Sequence, residues 1–493
     1  MATDAPQRHY RAPCPSCGAP VTFKSAQSTH AVCAYCRSMV VREGEVLRRI
    51  GKMAELFDDH SLLQLGASGQ IEGEGFQLVG RLQYKYAEGT WSEWHALLQG
   101  GSSAWLSEDN GAYVFSRPIS AERKVPAFDQ FNVGASTELG GERWSVGANT
   151  EVALISAQGE LPHLPPLGAP FRIVELRSAG GDAGQARVVS IDYGSQPPSL
   201  SEGRAVELAE LKLSGLKDES AREDQGRQFA CPNCGAPVAP LRPQSKSITC
   251  PQCNSLIDLS DGIGGELRHA EQDEPVRPLI ALGSTGRLEA ASWQVVGFQH
   301  RLGRADGDDE SFAWQEYLLY NAKAGFCFLV DAEDGWSLVR PITGAPELLA
   351  GGARARYHNT TYTRQWHYRA ETSYVLGEFY WQVRRGQVTQ NSDYAAGDRL
   401  LSAERGAGEI TWSAGRKIDA AKVADAFGLG DKLARADAKP FSAAPSVGIG
   451  TIVVVLFVLI VVLTLMSRCD GGSYSGRSSG GSFGGYSSGG GHK

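Results

Sequence analysis

The chain has 493 residues, a net charge of -7, 10 cysteines and 59 glycines. A single core rarely grows beyond about 250–300 residues, so several domains are expected. The apolar share of 42% with 21% charged residues excludes a wholly disordered or collagen-like chain, and the mild acidity argues against a surface built throughout for nucleic acid.

Met1 to Pro13 carries charges and no apolar run of secretory-signal length. A cysteine framework follows: Cys14-x2-Cys17, fifteen residues, then Cys33-x2-Cys36. The same spacing returns at Cys231, Cys234, Cys250 and Cys253, each displaced by 217 positions, and CPSCGAPV at Cys14 answers CPNCGAPV at Cys231. Each Cys-x-x-Cys makes a knuckle that turns two thiolates toward one metal, and two knuckles complete a tetrahedral S4 site. Two structural Zn2+ ions are therefore expected. With four thiolates per ion no position stays open for water, which disfavours catalytic zinc. Disulfides conflict with the missing signal, and a redox dithiol needs one CxxC on a βαβ pattern, absent here. Residues 1–52 hold eight Lys/Arg against three acids, but residues 221–278 hold six against eight. Nucleic-acid binding, through the first ribbon, is accordingly the weaker alternative.

The repeat continues past the cysteines. LGASG at Leu65 answers LGSTG at Leu282, FQLVG at Phe76 answers WQVVG at Trp293, and Arg117-Pro118-Ile119 answers Arg340-Pro341-Ile342 after a six-residue insertion. Such a duplication of ribbon plus larger domain fixes the organisation before any element is assigned. The larger domains read as antiparallel β: short alternating segments split by Asn, Asp and Gly turns, expected as a sandwich or partly open barrel. Val206–Leu216 and Ile418–Leu433 are the helix candidates. The aromatic run from Tyr357 to Tyr368 reads as a hairpin covering a core, with a ligand face as the alternative. The candidate ligand-binding residues are Trp366, His367, Glu378 and Trp381; Glu160 stands in a Gly-Glu pair matching Gly377-Glu378. No phosphate-binding loop, HExxH or GxSxG motif sits in a suitable context, so no specific enzyme is indicated.

From Val447 to Met466 the chain has no charge. At about 1.5 Å per residue this run spans the roughly 30 Å hydrocarbon core, so one transmembrane helix is expected. Lys432, Arg435 and Lys439 precede it while Arg468 and Arg477 follow it, a slight vote for an inside body that the paired thiols reinforce. Of the residues from Gly471 to Lys493, seventeen are Gly or Ser, the composition of a flexible tail. The expected organisation is ribbon 1 (1–45), β-rich domain 1 (50–217), linker (218–228), ribbon 2 (229–260), β-rich domain 2 (275–435), linker (436–446), transmembrane helix (447–466) and tail (467–493).

The CPxCGAPV ribbon, WQEYLLYN with the following EDGWSLVRP, Gly377-Glu-Phe-Tyr-Trp and Leu400-Leu-Ser-Ala-Glu resemble bacterial zinc-ribbon proteins that carry the domain of unknown function 4178. The resemblance covers most of the second repeat and the first more loosely, so the first copy is expected as a scaffold and the second as the one that binds. It implies a bacterial protein with gene neighbours in polyamine aminopropyl transfer, and hence a link to polyamine metabolism or envelope stress. It supplies no activity and no catalytic residue. The expected function is a non-catalytic scaffold on the cytoplasmic face of the inner membrane, with its tail outside and other membrane proteins as partners. The alternative is a small-ligand binder or enzyme using the aromatic site of the second domain.

Overall fold

The computed structural model describes residues 10–430 apart from 26, 44–45, 53–60, 88, 110–111, 121–124, 180–185, 218–227, 243–244, 260–267, 273–275, 306–310 and 322–323. The linker 436–446, the span 447–466 and the tail lie outside these residues, as does nearly all of the linker 218–228. Among the described residues no helix is long and apolar enough to cross a membrane.

Each large domain is two four-stranded meanders closed on one another. In the first copy the meanders are Glu74–Tyr86, Gly89–Leu98, Ser103–Asp109 and Ala112–Ile119, then Glu142–Leu161, Pro170–Arg177, Arg187–Asp192 and Ser199–Ala205. The last strands of the two meanders pair, Phe115 opposite Arg204, and so do the first strands, Gly80 opposite Gly159. The hydrogen-bonded circuit is complete, giving an eight-stranded antiparallel barrel. The second copy repeats it with Ala291–Ala305, Ser311–Asn321, Gly325–Ala332 and Gly335–Ile342, then Thr360–Phe379, Val388–Ala396, Arg399–Arg405 and Ile410–Ile418. Of the two architectures expected from sequence, the barrel is the one formed, and it is closed rather than partly open. Closure leaves no barrel edge to template pairing with another chain.

Alternation along each strand divides the side chains. In Gly89–Leu98 the even positions Trp94, Ala96 and Leu98 turn outward and are buried beneath Leu63, Val206 and Leu211. In the second copy Trp293, Leu319 and Leu329 are covered by the helix Ala420–Phe427 through Val423. Each large apolar side chain so buried contributes roughly 1.5–3 kcal/mol. The helix starts where the Asp419 carboxylate accepts the Ala421 N–H and stops at left-handed Gly428. Its expected counterpart at Val206–Leu216 is not a helix: the segment runs through turns, with Leu211 packed in the core. No Asp, Asn, Ser or Thr immediately precedes Val206 to cap a helix, and Ser214 pairs instead with Ser68 as a short bridge. The aromatic run is the expected hairpin, Arg354–Tyr357 returning through His358 and Asn359, both at positive φ, into Thr360–Phe379.

The barrels stack end on end. In the first barrel the turn after Tyr86 meets the turn 380–387 of the second, residues 148–150 of strand Glu142–Leu161 meet the turn 406–409, and the end of Pro170–Arg177 meets the segment after Ile342. Asn149 N–H donates to Gly408 O (2.9 Å), Arg384 donates to Ala87 O (2.7 Å) and Ala345 N–H donates to Ser178 O (3.1 Å).

A duplicated crossing joins ribbon to barrel. Strand Glu142–Leu161 runs past the barrel wall and pairs, through Glu160, with Ala31 of the first ribbon; Glu378 pairs likewise with Ile248 of the second. Both carboxylates are buried and turn onto ribbon backbone. Glu160 accepts the N–H groups of Lys24 and Ser25, each at 2.5 Å. Glu378 accepts those of Leu241 (2.8 Å) and Arg242 (3.1 Å) and the Ser245 hydroxyl (2.7 Å). The residue before each Glu is a glycine at positive φ, where a Cβ would lie 2.2 Å from Val79 O at Gly159 and 2.3 Å from Val296 O at Gly377. Truncating Glu378 strands three part-buried donors, the Leu241 and Arg242 N–H groups and the Ser245 hydroxyl, each costing about 1 kcal/mol. Glu378→Ala should therefore destabilise the second module by about 2–4 kcal/mol in denaturant titration, with new protease cleavage between ribbon and barrel.

Candidate metal centres and the barrel lumen

Each ribbon brings its four cysteines together although they come from two hairpins. Within each set the sulfurs all lie within 4.8 Å of one another. Cys14 Sγ is 3.6 Å from Cys36 Sγ and Cys17 Sγ is 3.7 Å from Cys33 Sγ. The second set repeats this, with Cys231–Cys253 and Cys234–Cys250 both at 3.7 Å. A tetrahedral S4 site with metal–sulfur bonds near 2.3 Å requires sulfurs about 3.8 Å apart, whereas a disulfide requires about 2.05 Å. The thiols therefore fit a metal. Cys14, Cys33, Cys231 and Cys250 are buried, so two ligands of each set anchor the site in the ribbon core. The Ser38 side chain, 3.2 Å from Cys36 Sγ, and the Ser38 backbone pull the Cys36 thiol down to about 6, which favours the thiolate a metal needs.

The other candidates named from sequence do not converge. Glu378 is occupied by the second ribbon. Trp366 is 40% exposed on the hairpin strand, and beside it His367 Nδ1 lies 2.8 Å from Ser392 Oγ. Trp381 packs against Phe379 and Phe328 and lines the central cavity.

That cavity, 940 Å³, is formed by the inward-facing rows of both barrels and runs across their junction. Inside each barrel the register places three acids at matching positions. In the first, Trp91 lies opposite Tyr84, Glu93 two residues on, Glu175 opposite Ser190, and Asp192 opposite Ile173. In the second, Trp314 lies opposite Arg301, Glu316 two residues on, Asp393 opposite Ser402, and Glu404 opposite Asn391. Arg301 is buried: its Nη1 is 2.8 Å from Glu404 and 3.7 Å from Glu316, and its Cζ sits 5.5 Å from the Trp314 ring centre. Sequence reading passed over these acids. Their trace is the shared Trp-x-Glu in WSEWHALL and WQEYLLYN, which looks like ordinary strand until parity turns both acids inward.

Against this geometry, the family model for the domain of unknown function (DUF4178) matches residues 64–208 and 281–420. The two spans make up more than half of the sequence. The chain belongs to the DUF4178 family. Each DUF4178 match coincides with a barrel, so the ribbons are appended ahead of both copies of the domain. No curated protein and no solved structure matches the chain.

Two outcomes follow from these sites. Metal analysis of the purified protein should find two ions per chain, one for each cysteine set, and a strong chelator should open both ribbons to proteolysis. Burial, then the charge of Asp192, pushes Glu93 up from 4.5 to about 7. A carboxylate raised in the folded state holds its proton longer there than when unfolded, so stability falls as pH rises from about 4.5 to about 7. Glu93→Gln should remove that penalty, gaining of order 1–3 kcal/mol over the parent at pH 8 and little at pH 4.5 in urea titrations.

Proposed function

We propose that this DUF4178 protein is a non-catalytic interaction protein, anchored to the bacterial inner membrane, in which Zn2+ holds each ribbon folded and each ribbon is clamped to its barrel. The observation that carries this reading is the way the cysteine sets are used. Each is a closed set of four thiols, leaving no coordination position for substrate, and each ribbon is latched to a barrel by a buried Glu. All-thiolate tetrahedral donors favour Zn2+ among the ions that commonly fill such sites.

Anchoring rests on the uncharged run 447–466, with the body on the cytoplasmic side and the tail outside. A tethered body meets other membrane proteins at a raised effective concentration, and duplication presents two modules to them. Affinity purification from membranes identifies those partners and decides whether they belong to polyamine metabolism or envelope stress. Protease added to spheroplasts should spare residues 10–430 and trim the tail. Digestion of the body would reverse the topology, and recovery of the protein in the soluble fraction would remove the anchor.

A further inference from the structure

The two barrels carry the same inward constellation, with one difference that changes its chemistry. The second barrel places a guanidinium among its acids and over Trp314. At the corresponding register position the first barrel has Tyr84, which is fully buried and packs 5.1 Å from the Trp91 ring. The acids are retained without the cation. Among the described residues neither Glu93 nor Asp192 pairs with a Lys or Arg: Trp91 hydrogen-bonds Glu93, Asp192 accepts the Gly194 N–H (2.6 Å) and faces His163, and only Glu175 is engaged by an arginine, Arg177. Glu93 and Asp192 both line the cavity, together with Trp91 and Trp105. His163 lines it too, and its Nε2 is buried with no partner among the described residues.

Half-buried carboxylates without a full countercharge are costly, and the second barrel shows how this constellation is neutralised: by a planar cation held between acids beside an indole. We propose that the lumen of the first barrel binds a small organic cation, whose guanidinium or ammonium group lies between Glu93 and Asp192 and takes the role that Arg301 plays in the second barrel. The aromatic walls receive the apolar part of the ligand, and the His163 Nε2 offers it a further hydrogen bond. Cavities of roughly 300–1,000 Å³ suit small molecules, and the cavity shared by the two barrels, of which this lumen is one part, falls in that range. The first copy thus becomes the binding module, while the second pairs its acids with its own arginine, the reverse of the expectation from sequence drift. The site requires neither the membrane anchor nor a particular metal, so it stands apart from the scaffold reading.

The test uses purified full-length protein in a non-ionic detergent, titrated calorimetrically with N-propylguanidine and with N-propylurea, its neutral counterpart of similar shape. The expected result is saturable binding of the guanidinium at one site per chain, at least tenfold tighter than the urea. Glu93→Gln and Asp192→Asn should each weaken it at least tenfold while thermal melting shows a folded protein. Tyr84→Arg, which supplies the second copy's cation, should remove the site. Absence of binding, equal binding of the urea, or affinity unchanged in both acid variants would overturn the proposal. Should one acid variant fail to fold, the other and the guanidinium–urea comparison on the unaltered protein still decide it.

Discussion

Everything in each module depends on one carboxylate turned inward at the point where the barrel wall leaves the barrel. Glu160 and Glu378 stand next to the end of the longest strand of their copies, which pairs with the ribbon, and their side chains accept further backbone N–H groups from it. A buried acceptor with full charge makes strong hydrogen bonds, and their loss leaves both sides unsatisfied. The glycine beside each Glu is what lets the wall approach so closely: the space a Cβ would need is already taken by the carbonyl of the neighbouring strand. Cysteine set and latch therefore divide the work, the gathered thiols belonging to the ribbon's own core and the Glu helping to fix its place.

Closing the barrels sets a second constraint. Once eight strands form a complete circuit, every second residue must face a shared interior, whatever its polarity. The outward rows could be made apolar and covered by flanking segments: Leu63, Val206 and Leu211 in one copy, the helix at Ala420 in the other. The inward rows keep acids in both copies, and the copies answer that problem differently. One supplies an arginine from its own wall; the other supplies a tyrosine and leaves Glu93 and Asp192 without an arginine partner.

Much of this was legible in the residues. The cysteine spacing and the 217-residue offset are covalent facts of the sequence, so the metal sets and the duplication could be read without a structure. A hairpin in the aromatic run was equally readable, but its turn at His358-Asn359 was not, because two non-glycine residues take up positive φ there. Glu378 was singled out for the right neighbourhood but for a different job: its partners Leu241 and Arg242 belong to another element, and no local pattern names them. The same limit hid Glu93 and Asp192, which come from different meanders and meet only when the barrel closes. Val206–Leu216 had helical periodicity, but capping and the bridge at Ser214 decided against it.

The latch also has a consequence for the order in which the molecule assembles. Within a ribbon the four thiols span little more than twenty residues, so that loop closes at small entropic cost. The latch bonds join positions 136 apart for Lys24 with Glu160 and 137 apart for Leu241 with Glu378. Each ribbon can take shape as soon as its own residues leave the ribosome, yet it has nowhere to dock until the fifth barrel strand has been made. Synthesis therefore yields, twice in succession, a finished ribbon beside an incomplete barrel, and arrival of the strand that carries the glutamate joins the two.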